Sequence, residues 1–426
     1  MKKALIYIFL SLSVLLLAAG IFGKLIYDSV TEDQVPLVSV SVFGAELEPV
    51  GYSWHKAVFN GLAYKEFVSD NKNAAVDIGE FLTADAAVEL PGGYDAAYEL
   101  IYDDIVVSAG SMDQWNEGLY GKPGSYELLI LLEKLKEKYK EYGSFSFWIQ
   151  FTVQQPAPEF FTGKTSLAQG EIFVIKLTNV ADGVTPFAVT DLGLSVFTPE
   201  GGGEWFAAIP VGNTRAPGNY TVAVSDGTYQ WEAEVQVQKY NFDTQNLIID
   251  TSNPEISEAN SARAYEEYRE KIPPLFDTYD SEIYWTGAFI MPVSGRISTQ
   301  FGTIRYTNGN WSNPRYHWGV DIAADRGTPV AASGGGRVVL AEYLLNTGNT
   351  VVIEHGGGLK SYYFHMDALH VNAGEMVQKG ARIGDVGSTG YSTGAHLHFE
   401  TRIGDQAVNP LMLCETSSSL YSFNKE

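Results

Sequence analysis

Gly394-Ala395-His396-Leu397-His398-Phe399-Glu400 is the stretch on which the reading of this chain turns. Residues two apart on a strand share a face, so His396 and His398 can enter one site together. Upstream stands Tyr316-His317-Trp318-Gly319-Val320-Asp321-Ile322-Ala323-Ala324. Gly319 and its β-branched neighbours favour strand or loop over helix. Imidazole nitrogen and carboxylate oxygen both suit zinc, and catalytic zinc takes three protein ligands and leaves a fourth position open. His317, Asp321 and one of the His396/His398 pair supply three; the other histidine is then free to act on substrate or water. A third element, Ser361-Tyr362-Tyr363-Phe364-His365, alternates at strand period and is expected to put Tyr363 and His365 on one face.

Six of the seven histidines lie between His317 and His398. Of the rest of the set, His355 reads as structural in a Gly-rich turn and His370 as exposed. His55, beside Trp54, has no partner that sequence can name.

With these elements goes an ordered series: Phe301-Gly302, Gly327-Thr328-Pro329-Val330, Gly348-Asn349-Thr350, His355-Gly356, Gly384, Gly387-x-Thr389-Gly390 and Ser392-Thr393-Gly394. From about Pro292 to Pro410 the chain resembles the lysostaphin/LytM-type zinc endopeptidases of bacterial cell walls. The resemblance implies that His317, Asp321 and His398 hold one zinc ion per chain. It makes His365 and His396 the catalytic histidines. Tyr363, Glu400 and Arg305 are expected as substrate-binding or supporting residues, Glu400 because it lies on the strand face of His398. Trp318 and Asp325 depart from the family pattern, which bears on substrate fit more than on metal binding. The implied activity is hydrolysis of peptide cross-links or stem peptides of peptidoglycan by zinc-activated water. The alternative is a catalytically silent LytM-type regulator of other wall hydrolases, and a third reading is a sandwich-based binding scaffold. The intact ligand set weighs against both.

The remaining chain reads as mainly β. Lys2 and Lys3 precede an apolar run from Ala4 to Phe22, with Asp28, Glu32 and Asp33 beyond it. Residues 1–30 are therefore a cleavable signal peptide or a retained anchor, with the rest outside the membrane. Residues 35–154 read as a sandwich-like module, with Leu37–Phe43 and Trp148–Val153 as strands and Leu128–Tyr142 as a helix or a pair of strands around a turn. Pro123-Gly124-Ser125-Tyr126 and Pro217-Gly218-Asn219-Tyr220 form a weak repeat, each followed by an alternating strand, which suggests two sandwiches in tandem, the second at 157–240. Residues 241–284 are expected as a helical connector, with one helix over Glu255–Lys271 between prolines. The peptidase domain follows at 285–415 and a tail at 416–426. The upstream modules could act as a spacer from the membrane or as a cover over the zinc cleft.

A formal charge of −23 argues against nucleic acid as a partner. The single Cys414 permits no intramolecular disulfide and lacks a basic neighbour that would activate it. The expected setting is the bacterial envelope outside the cytoplasm, membrane-anchored or secreted. Peptidoglycan peptides are the expected substrate, the membrane is contacted through the N-terminal segment, and envelope proteins are further partners.

Overall fold

The computed structural model describes residues 2–70, 75–81, 87–116, 122–250, 252–415 and 424–425. The chain is mainly β, with largely antiparallel sheets, and divides into two compact units, Met1–Pro156 and Ala157–Glu426. Apart from 424–425, the tail expected at 416–426 lies outside the described residues.

The first unit begins with the helix Lys2–Asp28, of which Phe9–Asp28 is long and apolar enough to cross a membrane. A sheet follows in the order Ala63–Asp70, Gly51–Val58, Tyr142–Val153, Gly124–Lys134, Asp95–Tyr102 and Ile105–Ser111. Its strands alternate, burying Leu128, Ile130, Leu132, Phe145, Phe147 and Phe151 on one face. A three-stranded sheet built on Val40–Val42 adds Val40 and Val42 to that core. Residues 128–142 take the paired-strand alternative, the first strand ending at Lys134 and the second starting at Tyr142.

The short Pro-Gly-x-Tyr repeat has a physical counterpart in both units. The Tyr126 hydroxyl donates to the Lys122 carbonyl at 2.8 Å, and the Tyr220 hydroxyl to the Ala216 carbonyl at 2.8 Å. Each tyrosine thus pins the entry to its strand by reaching four residues back, and each strand pairs antiparallel with the alternating strand that follows.

The second unit opens with two facing sheets. One contains Phe197–Gly201, Glu204–Pro210, Ile172–Thr178 and Glu159–Thr162; the other Ser166–Ala168, Gln230–Gln238, Gly218–Ser225 and Phe187–Val189. Phe173, Ile175 and Leu177 point into the core between them, with Val222 and Val235. The other face of the same strand is also buried. Ile172 and Val174, with Phe206, meet Phe289, Leu359, Ile403, Val408 and Leu413 of the C-terminal domain. Each such side chain contributes roughly 1.5–3 kcal/mol when fully buried. The Asn409 N–H donates to the Gly170 carbonyl at 2.8 Å across the same junction.

The connector differs from the single helix expected over Glu255–Lys271. It begins with a strand, Thr244–Leu247, lying parallel to Ile304–Thr307, which in turn forms a hairpin with Asn310–Tyr316. Two short helices follow, Pro254–Ala259 and Ala262–Lys271. The break is local chemistry: Ser261 is extended and its side chain accepts from the Ala264 N–H, so it caps a new helix rather than continuing the old one. The second helix lies against the C-terminal domain. Tyr268, Ile272, Leu275 and Phe276 pack on Leu340, Val352, Tyr362 and Phe364.

The C-terminal domain is built on an antiparallel sheet in the order Arg296–Thr299, Gly319–Ala323, Leu397–Ile403, Leu359–Met366, Gly348–Glu354, Gly336–Leu344 and Met376–Val377. One face (Val320, Ile322, Val351, Ile353, Tyr363, Leu397, Phe399) closes a hydrophobic core. The other carries His398, Glu400 and Arg402 beside Tyr362 and Phe364, and the connector packs over part of it.

Candidate metal centre

The register of the sheet assembles the site. Gly319–Ala323 pairs with Leu397–Ile403 so that Asp321 stands opposite His398. Gly319 permits this approach: a Cβ there would lie 2.3 Å from the Phe399 carbonyl oxygen. His317, just before that strand, is pinned by its own backbone, its N–H donating to Thr303 O at 2.9 Å and its carbonyl accepting from Gly302 N at 2.7 Å.

Three atoms meet in a near-equilateral triangle. His317 Nε2, Asp321 Oδ1 and His398 Nδ1 are each 2.9 Å from the other two. The outer nitrogens fix the tautomers. His317 Nδ1 lies 3.0 Å from the Gln300 carbonyl and His398 Nε2 lies 3.2 Å from Glu400 Oε2, so both outer nitrogens carry the proton and donate. The inner atoms then present three lone pairs to one another, and all three residues are buried. Such a set repels itself unless a proton or a cation sits among the atoms. A tetrahedral ion bound at about 2.0–2.1 Å spaces its ligands by about 3.3 Å, close to what the triangle offers. The residues therefore fit a small, borderline-soft divalent ion.

Charge in the site follows from these contacts. Burial alone would raise the Asp321 carboxyl, but His317 and His398 hold it well below the usual carboxylate range. Burial lowers His317, with Asp321 opposing. Burial would also lower His398, but its bonds to Asp321 and Glu400 carry it to about 9, so without a cation the proton that sits among the three inner atoms is on His398 Nδ1, and a bound ion takes its place. Glu400, despite its burial, is pulled to about 2 by Arg402 and His398. Arg305 donates through Nη2 to Asp321 Oδ2 and through Nε to Gln245 Oε1 at 3.2 Å, so the outer carboxylate oxygen is tied to the hairpin and the connector strand.

His365 and His396 stand beside the triangle, their rings 4.9 Å apart. His365 Nδ1 donates to the Thr389 carbonyl at 2.8 Å and His396 Nδ1 to the Gly394 carbonyl at 2.7 Å. Both therefore turn a bare Nε2 away from those carbonyls, and that of His396 is 3.7 Å from Asp321 Oδ1. Burial lowers both, His365 to about 3 with His396 and His398 adding to the effect. Both shifts favour the neutral ring over the charged one.

The expectation that Tyr363 and His365 share a face does not hold. Tyr363 is fully buried in the core, stacked on Phe399 with its hydroxyl taking the Ser333 N–H at 2.8 Å. His365 reaches the metal side because its φ of 64° breaks the strand alternation. Gly348 makes room for the loop that receives it: a Cβ there would lie 2.2 Å from Thr389 Oγ1.

His355 is buried between the Gly335 carbonyl and Ser361, and His370 is exposed beside Asp385. His55 stacks on Tyr142 and lies 3.7 Å from Glu66. Burial lifts the Cys414 thiol to about 11, which leaves it a poor nucleophile. Two neighbours escaped the sequence reading. Phe364 stacks flat on His398 at 5.2 Å, and Arg402 braces Glu400. The signal for Arg402 was its place two residues past Glu400 on one strand face.

Residues 315–410, which carry all five histidine and aspartate side chains of the site, match the profile of peptidase family M23. The C-terminal part of the chain is accordingly a peptidase family M23 domain of the LytM/lysostaphin type. The DD-carboxypeptidase/endopeptidase Mpg of Neisseria meningitidis serogroup B is 41% identical over 134 residues, 30% of this chain and 30% of that protein. The peptidoglycan DD-endopeptidase ShyA of Vibrio cholerae is 42% identical over 95 residues, 22% of each. The chain thus spans less than a third of these relatives' length. The solved catalytic domain of lysostaphin from Staphylococcus simulans aligns with 34% of this chain and 98% of its own length at 29% identity. Its TM-score is 0.23, a level at which structural likeness carries no weight.

Proposed function

We propose that this chain is a zinc-dependent endopeptidase that hydrolyses peptide bonds in bacterial peptidoglycan, with His317, Asp321 and His398 holding the ion. The observation that carries the reading is the triangle of three inward lone pairs at 2.9 Å, whose outer N–H groups are already committed to Gln300 and Glu400. Zinc held by these three residues would supply Lewis-acid polarisation of a carbonyl and would make water acidic enough to act as a nucleophile near neutral pH. One of His365 and His396 accepts the proton of the attacking water at its Nε2, and that protonated ring, or its neighbour, steadies the developing oxyanion or passes a proton to the leaving amine. Arg305 holds the second oxygen of Asp321 and so fixes the orientation of the carboxylate. The substrate class is supported by the peptidoglycan endopeptidases among the relatives. The apolar helix supports an envelope location with the N-terminal segment in the membrane.

The test is incubation of the purified protein with peptidoglycan, with and without chelator, followed by mass analysis of the fragments. Chelator-sensitive release of peptide-cleaved fragments is expected, with one zinc per chain, and Asp321→Ala is expected to lose both. Zinc-loaded protein that binds wall material but releases nothing would replace the enzyme by the silent regulator.

A further inference from the structure

Beyond the three donors the site continues along one strand. His398, Glu400 and Arg402 follow at alternate positions of Leu397–Ile403 and so share a face. His398 donates to Glu400 Oε2, and Glu400 Oε1 accepts from Arg402 Nε. Glu400 and Arg402 are 2% and 4% exposed, so the pair is cut off from water that would otherwise screen or replace it. The guanidinium also lies over two aromatic rings. Its Cζ lies 4.6 Å from the ring centroid of Trp318 and 4.8 Å from that of Phe276. Nη1 donates to the Asp405 carbonyl at 2.8 Å. Trp318 is the chain neighbour of His317; Phe276 belongs to the Pro273–Asp277 turn that closes the connector. The bulky Trp318 thus has a task, and it is to flank Arg402.

We propose that Arg402 is a positioning residue for the metal centre, acting through Glu400 on His398, and that its contacts with Trp318 and Phe276 make docking of the connector part of metal retention. The inference rests on the reading of His317, Asp321 and His398 as metal ligands. Without Arg402, Glu400 keeps only its bond from His398 among those described here, so the acceptor of the His398 N–H is less firmly placed, the ring turns more freely and Nδ1 is less well aimed at the triangle. A lysine keeps the charge but cannot reproduce the planar fork over two rings.

Zinc alone is the probe, titrated into the full chain against a chromophoric chelator, with circular dichroism reporting the fold. Arg402→Met is expected to weaken zinc binding about 10- to 100-fold, Arg402→Lys to restore part of the loss, and Phe276→Ala to move affinity the same way by a smaller factor. Because Arg402→Met leaves Glu400 charged and buried, Glu400→Gln and the double variant Glu400→Gln/Arg402→Met complete the cycle. The double variant is expected to bind zinc as Glu400→Gln alone does. Unchanged affinity in Arg402→Met, or a double variant whose loss is the product of the two single losses, overturns the proposal. If the unaltered chain takes up no zinc, the ligand reading itself fails; if it binds zinc and Arg402→Met binds equally well, only the positioning role falls.

Discussion

His365 and His396 each reach the ligand triangle with one nitrogen already spent on a backbone carbonyl. Neither is among the three donors. His365→Ala and His396→Ala are therefore expected to retain one zinc per chain, by elemental analysis, while fragment release falls about 10²- to 10⁴-fold. Near-normal turnover in either variant removes that residue from the chemistry. His355 makes a different prediction. It is buried, its two nitrogens are satisfied by Gly335 and Ser361, and burial lowers it to about 4. An unfolded histidine titrates near 6.5, so between these values the unfolded chain binds the extra proton. The stabilising contribution is complete above about 6.5 and is lost as pH falls towards 4, on the order of 3 kcal/mol in all. Denaturant midpoints measured from pH 7 to 4 are expected to drop less steeply in His355→Asn than in the unaltered chain. At this scale the spacing offered His317, Asp321 and one of His396 and His398 as a set, and only the family resemblance chose His398 and added His365. Spacing could not announce φ at His365, since strand alternation assumes extended backbone, and so it misplaced Tyr363.

The connector shows the same division between pattern and context. Glu, Ala, Arg and Tyr continue through 255–271, so composition reads as one helix; the Asn260-Ser261 pair, with its capping side chain, divides it. Sequence carried that signal, but not the surface on which the second helix would rest. Tyr268, Ile272, Leu275 and Phe276 cover Tyr362, Phe364, Val352 and Leu340 on the very face that carries His398. A protein beginning near Trp285 would expose this patch to water. Such a truncation is expected to melt at lower temperature and to self-associate, relative to one beginning at Ala157, in thermal unfolding and size-exclusion measurements. An isolated 285–415 fragment that stays monomeric and equally stable would show that the helix contributes little to the domain. Comparing catalytic rates of the two fragments without this control would confuse loss of a cover with loss of support.

Across the whole molecule, net charge, the apolar N-terminal segment and the dense histidine cluster are legible in the sequence itself. Charge and hydropathy are sums over the chain and need no geometry. Contacts between successive domains are not sums, and the junction between the sandwich and the C-terminal domain left no motif to read. There the strand Ile172–Thr178 gives Phe173, Ile175 and Leu177 to one core and Ile172 and Val174 to another. A strand that serves two cores cannot be inherited by one of them alone. Recombination that grafted the sandwich onto another enzyme, or gave this peptidase a new upstream neighbour, would strand Ile172, Val174 and Phe206 against solvent and open Phe289, Leu359 and Ile403 to it. The two are therefore expected to transfer to another protein intact only as a single cassette from Ala157 onward, with those contacts kept.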